Sequence, residues 1–386
     1  MRRPIALAAA LLALAAPSTA LAGQPEPRIV GGERIDIADA PWQVALAFSP
    51  AYRPGPASER TFCGGVLVAP AIALTAGHCL YDDNLGSFRP ASELSVIAGR
   101  TALDSAGGAE VAVQEYRMPT DAAGEPIYDE INGHARWDVV VLRLASEVPG
   151  TPIRIAGADE TGLWSRGQPV LATGWGTSTR YSPRNPRGLK GATLTMFDDR
   201  TCAGTYPGPD EFEAADMVCA SGIGVDTCKG DSGGPVVAFT ANRDPRLIGL
   251  TSWGGDGHGS PCAWTAGVYT RVAGDPLRSQ VAAIVGDLGG GDVVGTGGRP
   301  AGTPPALTGA EALQLTYNRS RDLCNAVRRC WNPREPECSQ AGEAFRCEAS
   351  FKREFKRQRQ ICSWQVTWSA AADGTVAGDS TRRSCR

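Results

Sequence analysis

From Ala40 to Ala273 the chain runs as short apolar stretches broken by Gly, Pro, Asp and Asn, among them Trp42 to Phe48, Gly65 to Ala69, Leu94 to Ala98 and Val139 to Leu144. Stretches of this length, bounded by turn formers and without a sustained 3.6-residue period, predict the strands of an all-β sandwich or barrel. The first helical period comes at Pro276 to Leu288, where Leu277, Val281, Ile284 and Leu288 share one face. Gly289 to Thr308 (GGGDVVGTGGRPAGTPPALT) has no period and reads as a Gly/Pro-rich linker. If flexible, it spans roughly 25 Å and transmits little strain. The segment from Gly309 to Arg386 then changes character. Ala310 to Trp331 places Leu313, Tyr317, Leu323 and Val327 near one side of a helix, and Phe345, Phe351 and Phe355 suggest a second helix. Ile361 to Trp368 alternates like a strand, so the tail is predicted to be a small, mainly helical unit.

Composition sharpens this picture. The 386 residues allow two or three domains, and a net charge of −3 argues against a nucleic-acid binder. Twelve cysteines against three histidines favour disulfides over a zinc site, provided the compartment is oxidising. The N-terminus meets that condition. Arg2 and Arg3 precede an apolar run from Ile5 to Ala16, and Ala20-Leu21-Ala22 fits a cleavage site. Residues 1–22 therefore read as a secretory signal peptide, with an N-terminal anchor as the alternative, and no later stretch reads as transmembrane. The expected location is secreted, periplasmic or extracellular.

The tail holds Cys324, Cys330, Cys338, Cys347, Cys362 and Cys385, an even set that predicts three disulfides of unassigned pairing. Its charge is +5, with Lys352, Arg353, Lys356, Arg357 and Arg359 on the expected second helix. A solvated face is the simpler reading of these charges; an acidic glycan or surface as ligand is the other. Asn318-Arg319-Ser320 is a glycosylation sequon.

Candidate chemistry centres on Gly230 to Pro235, GDSGGP, where Ser232 stands between an aspartate and two glycines. Flanking glycines allow a tight bend with amides free to face a reacting atom. A serine hydroxyl also needs a base within reach and a third group to orient that base. His78 in TAGHC and Asp138 in WDVVVLRL could supply them. The motifs IVGG, TAGHC, WDVVVLRL, GDSGGP and SWG, in this order, resemble the chymotrypsin/trypsin family of serine peptidases. The resemblance covers residues 29–288, about 260 of 386, and no family is recognised in the tail.

The resemblance implies two six-stranded Greek-key barrels, near Ile29 to Ser146 and Glu147 to Ala273, closed by the helix at Pro276 to Leu288. It implies His78 as base, Asp138 as its orienting group, Ser232 as nucleophile and the amides of Gly230 and Ser232 as oxyanion hole. Asp226 would be the floor of the primary pocket, with Ser252, Trp253, Gly254 and Gly267 around it, implying cleavage after Arg or Lys. Removal of a propeptide, residues 23–28, after Arg28 would free the Ile29 amine to pair with Asp231. Before that cut, the loop around Ser232 would be poorly organised. The implied bridges are Cys63–Cys79, Cys202–Cys219 and Cys228–Cys262, whereas spacing alone leaves 15 pairings.

Some segments depart from the family pattern. Gly255 to Pro261 is longer than in digestive trypsins, Lys229 puts a charge at the pocket rim, and Asp121 to Ala135 suggests an enlarged loop over the cleft. Gly99 to Gly108 lacks the glutamates of a calcium site, so neither metal nor cofactor is expected. His134 and His258 read as exposed surface residues. The expectation is a zymogen-derived serine endopeptidase acting on proteins or peptides and open to protein protease inhibitors. The alternatives are a catalytically silent, protease-like binding protein, or a protease whose tail is an autoinhibitory or targeting module.

Overall fold

A computed structural model describes residues 29–386 apart from 83, 132–133, 178–187, 255–261, 303–306, 326–329, 332–335, 356–357, 372–374, 381–383 and 386. The signal peptide, the propeptide with Arg28, Asn132-Gly133 and the 255–261 loop with His258 lie outside the described residues.

Six strands form a closed barrel, four of them overlapping the apolar stretches named from sequence. They are β1 (Gln43–Phe48), β2 (Thr61–Ala69), β3 (Ile72–Thr75), β4 (Leu94–Ala98), β5 (Ala109–Arg117) and β6 (Val140–Leu144). Around the ring they run β1-β2-β3-β6-β5-β4. A second ring consists of β7 (Pro169–Gly174), β8 (Lys190–Met196), β9 (Met217–Ser221), β10 (Pro235–Phe239), β11 (Pro245–Gly254) and β12 (Gly267–Thr270). Its order is β7-β8-β9-β12-β11-β10, the same topology as the first. The fold thus repeats where no repeat is visible in the residues.

The near-continuous apolar runs have a physical reason. Leu67 of β2 points into the core of the first barrel, while Val66 and Val68 join the larger cluster shared with the second. A strand buried on both faces shows no alternation. One boundary differs from expectation. The stretch Glu33–Arg34 pairs with Gly191 and Lys190 of β8, so these residues belong to the second barrel and not the first.

Helix α1 (Asp199–Thr205) links β8 to β9, and its N-terminus is capped by the Asp198 carboxylate. Helix α2 (Leu277–Asp287) buries Leu277, Val281 and Val285 on the barrels.

The linker is not free. Ile155 donates to the Val293 carbonyl at 2.8 Å, Gly295 donates to the Ile155 carbonyl at 2.7 Å, and Ala241 donates to the Arg299 carbonyl at 2.7 Å. Glu160, wholly buried, accepts from the Gly298 amide at 2.7 Å and pairs with Arg246. Small residues let this strap lie against the barrel: a Cβ on Gly157 would come 2.1 Å from the Gly295 carbonyl oxygen. Glycine here serves close approach, and the expected flexible span does not apply.

The tail also differs from prediction. Helix α3 (Gly309–Asn325) forms, but the second helix does not. In its place are β13 (Cys330–Trp331), β14 (Glu337–Ala341), β15 (Ala344–Phe355), β16 (Gln358–Ala370), β17 (Val376–Ser380) and β18 (Ser384–Cys385). They form one six-stranded antiparallel sheet. Cys347, Ala349 and Phe351 are buried while Arg346 and Glu348 are exposed, a period of two that the spaced phenylalanines disguised. Lys352, Arg353 and Arg359 consequently lie on two facing strands rather than along one helix.

The sheet packs on α3 through Ala312, Cys347, Trp364, Val366 and Trp368. The other side of α3 packs on the second barrel and α1. Ala310 joins a cluster with Phe197, Tyr206, Met217 and Val268, and Arg166 pairs with the buried Glu311 at 2.7 Å. Asn318 of the sequon is only 7% exposed, and its Nδ2 donates to Thr205 Oγ1, so in this fold the amide is not open to a glycan. All twelve cysteines are bridged: Cys63–Cys79, Cys202–Cys219, Cys228–Cys262, Cys324–Cys330, Cys338–Cys347 and Cys362–Cys385.

Candidate active site

The register of the first barrel sets the position of His78 and Asp138. β3 ends at Thr75, β6 begins at Val140, and these two residues are paired. His78 lies just past the first end and Asp138 just before the second, so the two side chains meet. His78 Nδ1 is 2.8 Å from Asp138 Oδ2, and the His78 amide donates to Asp138 Oδ1 at 2.8 Å. Ser252 Oγ, from β11, donates to Oδ2 at 2.5 Å, and Thr270 Oγ1, from β12, donates to the Asp138 carbonyl at 2.9 Å. Ser252, read from sequence only as a pocket residue, thus also holds this carboxylate.

Burial works against the charge on Asp138, but the His78 charge and the hydrogen bonds from His78 and Ser252 outweigh it and hold its pKa below the ordinary value. Burial likewise opposes the imidazolium of His78. The charge and hydrogen bond of Asp138, with the more distant charge of Glu130, prevail and raise it above 6.5. The imidazole remains 29% exposed, open to a substrate.

Ser232 sits in the turn that leads into β10. The Gly64 amide donates to the Ser232 carbonyl at 2.7 Å, tying this turn to β2, the neighbour of β3. Gly233 has φ +75°, and a Cβ there would lie 2.2 Å from Thr75 Oγ1 and 2.9 Å from the Ala76 nitrogen. The turn can pass this close to the segment carrying His78 only because that residue has no side chain. Gly230 is also left-handed, with φ +91°. Among the described residues, the amides of Gly230 and Ser232 donate to no other group.

Beside Ser232 opens a cavity of about 260 Å³ whose lining includes Asp226, Ser252, Trp253, Gly254 and Gly267. Asp226 is 2% exposed and accepts from the Thr227 amide at 2.7 Å and the Tyr269 hydroxyl at 3.1 Å. Burial pushes its pKa up to about 8 against these bonds. A Cβ on Gly267 would reach within 2.8 Å of Asp226 Oδ1, so this wall must be bare for the carboxylate to be approached. Lys229 lines the mouth and is exposed. Thr227 and Tyr269 went unnoticed in the sequence. Tyr269 lies two residues past Gly267 on β12 and so shares its face.

Asp231 is wholly buried, accepts from the amides of Gly176 at 2.7 Å and Cys228 at 2.9 Å, and is pushed by burial up to about 7. Ile29 is also wholly buried, and the Val30 carbonyl accepts from the Asp226 amide at 3.1 Å. These bonds from Gly176, Cys228 and Asp226 tie the turn before Ser232 to its neighbours. Among the described residues, no cation is among the groups that act on the Asp231 carboxyl.

His134 is not a free surface residue. Its ring packs 4.2 Å from that of Trp253, and Arg136 clamps its hairpin, Asp129–Ile131 with His134–Arg136, onto Asp216 before β9. The sequence marked an enlarged loop here but offered no partner for it.

A protein-family profile described as Trypsin matches residues 29–276. A trypsin of Saccharopolyspora erythraea is 37% identical over 259 residues, covering 66% of this chain and 98% of that protein. Kallikrein-11 of Homo sapiens is 34% identical over 273 residues, 68% of this chain and 81% of that protein. A solved structure of neuropsin, a serine protease expressed in the limbic system of mouse brain, aligns with a TM-score of 0.49 and 31% identity, over 63% of this chain and 94% of that one. The bacterial trypsin is matched over nearly its whole length, which leaves nothing there of the size of this chain's tail.

Proposed function

The chain belongs to the trypsin family, and from that premise we propose that it is a secreted serine endopeptidase that cuts after Arg or Lys and is made as a zymogen. The observation that carries the specificity is Asp226. It is a carboxylate enclosed at the floor of a cavity beside Ser232; Lys229 stays exposed at the mouth, and no cation is among the groups that act on the Asp226 carboxyl. A substrate guanidinium or ammonium supplies the missing charge and draws the carboxyl into its ionised form.

Ser232 Oγ attacks the carbonyl carbon of the scissile bond while His78 Nε2 takes its proton. Asp138 holds the Nδ1 proton and stabilises the imidazolium. The C–N bond breaks, His78 returns the proton to the leaving amine, and water then releases the acyl group from Ser232 by the same steps. The unengaged amides of Gly230 and Ser232 are assigned to the oxyanion, where one such donor contributes about 3 kcal/mol.

Activation by a cut after Arg28 is supported by the burial of Ile29 and Asp231. The new α-amine provides the cation that Asp231 lacks. Secretion is supported by the pattern of residues 1–22 and by six disulfides with no free cysteine. No helix among the described residues is long and apolar enough to cross a membrane.

The test is turnover of arginyl, lysyl, phenylalanyl and alanyl peptide substrates by the cleaved chain and by its Ser232→Ala variant. Arginyl and lysyl peptides should dominate, and the variant should lose turnover on the scale of a millionfold, about what loss of such a serine costs in another serine protease. Preference for phenylalanine would overturn the specificity, and near-normal activity in the variant would overturn the mechanism.

A further inference from the structure

One buried side chain of the tail hydrogen-bonds to the wall of the primary pocket. Gln314, on α3, is 1% exposed. Its Oε1 accepts from the Ala266 amide at 2.8 Å, and its Nε2 donates to Asn318 Oδ1 at 2.9 Å. Asn318 Nδ2 in turn donates to Thr205 Oγ1, at the end of α1, at 3.2 Å. Arg321 fastens the same helix end through the carbonyls of Thr205 and Gly204.

Ala266 is wholly buried and lies one residue outside the ladder that pairs Gly267 with Ala220. Its carbonyl accepts from the Tyr206 hydroxyl, so the peptide groups on either side of Ala266 are pinned by two side chains. Only Gln314, which holds the amide, comes from the tail. Gly267, next in the chain, is the bare wall that faces Asp226, and Thr265 on the other side also lines the cavity. A shift at Ala266 therefore moves the pocket wall against the carboxylate. A buried amide left without an acceptor is costly enough to drive such a shift.

We infer that Gln314 is a positioning residue for the primary pocket, so that the tail is a structural part of substrate binding and not a tethered module. The inference rests on reading this cavity as the site of the substrate cation.

The experiment uses the full, cleaved chain with Gln314→Met, which removes the acceptor at similar volume, and Gln314→Glu, which keeps an acceptor oxygen. A small aryl amidine, which fills only this cavity, is the binding probe, alongside arginyl peptide kinetics and hydrogen exchange at the Ala266 amide. Gln314→Met should weaken amidine binding and raise KM about tenfold, with kcat changed less than about threefold, and should speed Ala266 exchange about tenfold. Gln314→Glu should recover most of the amidine affinity. A folded Gln314→Met chain with parental amidine affinity, or with parental exchange at Ala266, overturns the inference. If Gln314→Met does not fold, Asn318→Ala leaves Gln314 present but unoriented. It should shift the same quantities in the same directions, and no shift in either overturns the inference. A parent that neither binds the amidine nor cuts arginyl peptides refutes the cation pocket. In that case Ala266 exchange, with KM for whichever side chain the parent accepts, still decides the role of Gln314.

Discussion

Among single residues, the two enclosed carboxylates of the second barrel carry the most measurable consequences. Burial pushes Asp226 up to about 8 and Asp231 up to about 7, against an ordinary value of 3.8. Between that ordinary value and the raised ones, the folded chain keeps protons that the unfolded chain has released, so stability falls as pH rises. Below the ordinary value both forms are protonated and the penalty is absent. In the uncut chain, Asp231→Asn is expected to flatten the decline in melting temperature between about pH 4 and about pH 7. A slope equal to the parent's would mean that Asp231 is not held neutral. Asp226→Ser is expected to cost about 2 to 5 kcal/mol in kcat/KM on arginyl peptides, because the substrate cation would be buried unpaired. Phenylalanyl peptides serve as the control, and an equal loss on both would point to a general defect of the pocket.

At the scale of elements, strands set the chemistry and the strap joins the parts. The pairing of Thr75 with Val140 is what makes His78 and Asp138 neighbours across 60 positions of sequence. On the barrel side Glu160 anchors the strap: it accepts from the amides of Gly157 and Gly298 and pairs with Arg246, which is itself largely buried. Glu160→Ala leaves that guanidinium uncompensated and should destabilise the chain by about 3 to 5 kcal/mol, read from a denaturant midpoint. A loss under about 1 kcal/mol would show that the strap contributes little. Tail elements were the least legible. Phenylalanines at 345, 351 and 355 mimic a helical face, whereas the partner strand that makes β15 a strand starts only after the turn.

Across the whole molecule, two barrels of the same topology meet at the turn carrying Ser232, and the tail closes onto the far side of the pocket wall. In the proposed activation, the cut after Arg28 supplies the α-amine as the cation for the buried Asp231. Arg28→Gln should leave the chain uncut and its turnover of arginyl peptides near background, while melting temperature at acid pH stays close to that of the cut form. Full activity without a cut, checked by N-terminal sequencing, would remove the zymogen reading.

By itself the sequence determined the strand-rich class, the candidate residues His78, Asp138, Ser232 and Asp226, and the even cysteine count. Each of these is written locally, in a motif or a run of apolar residues, and needs no distant partner to be seen. Only the tertiary structure decided what depends on partners far along the chain. The Gly-rich linker lies down because Ile155 and Glu160 offer it hydrogen bonds, and the tail folds as a sheet because β15 and β16 pair. Gln314 reaches Ala266 across 48 positions because α3 is seated on α1. Such contacts join groups whose chemistry is ordinary in isolation, so no local pattern marks them, and their consequence for the pocket appears only when the backbone brings them together.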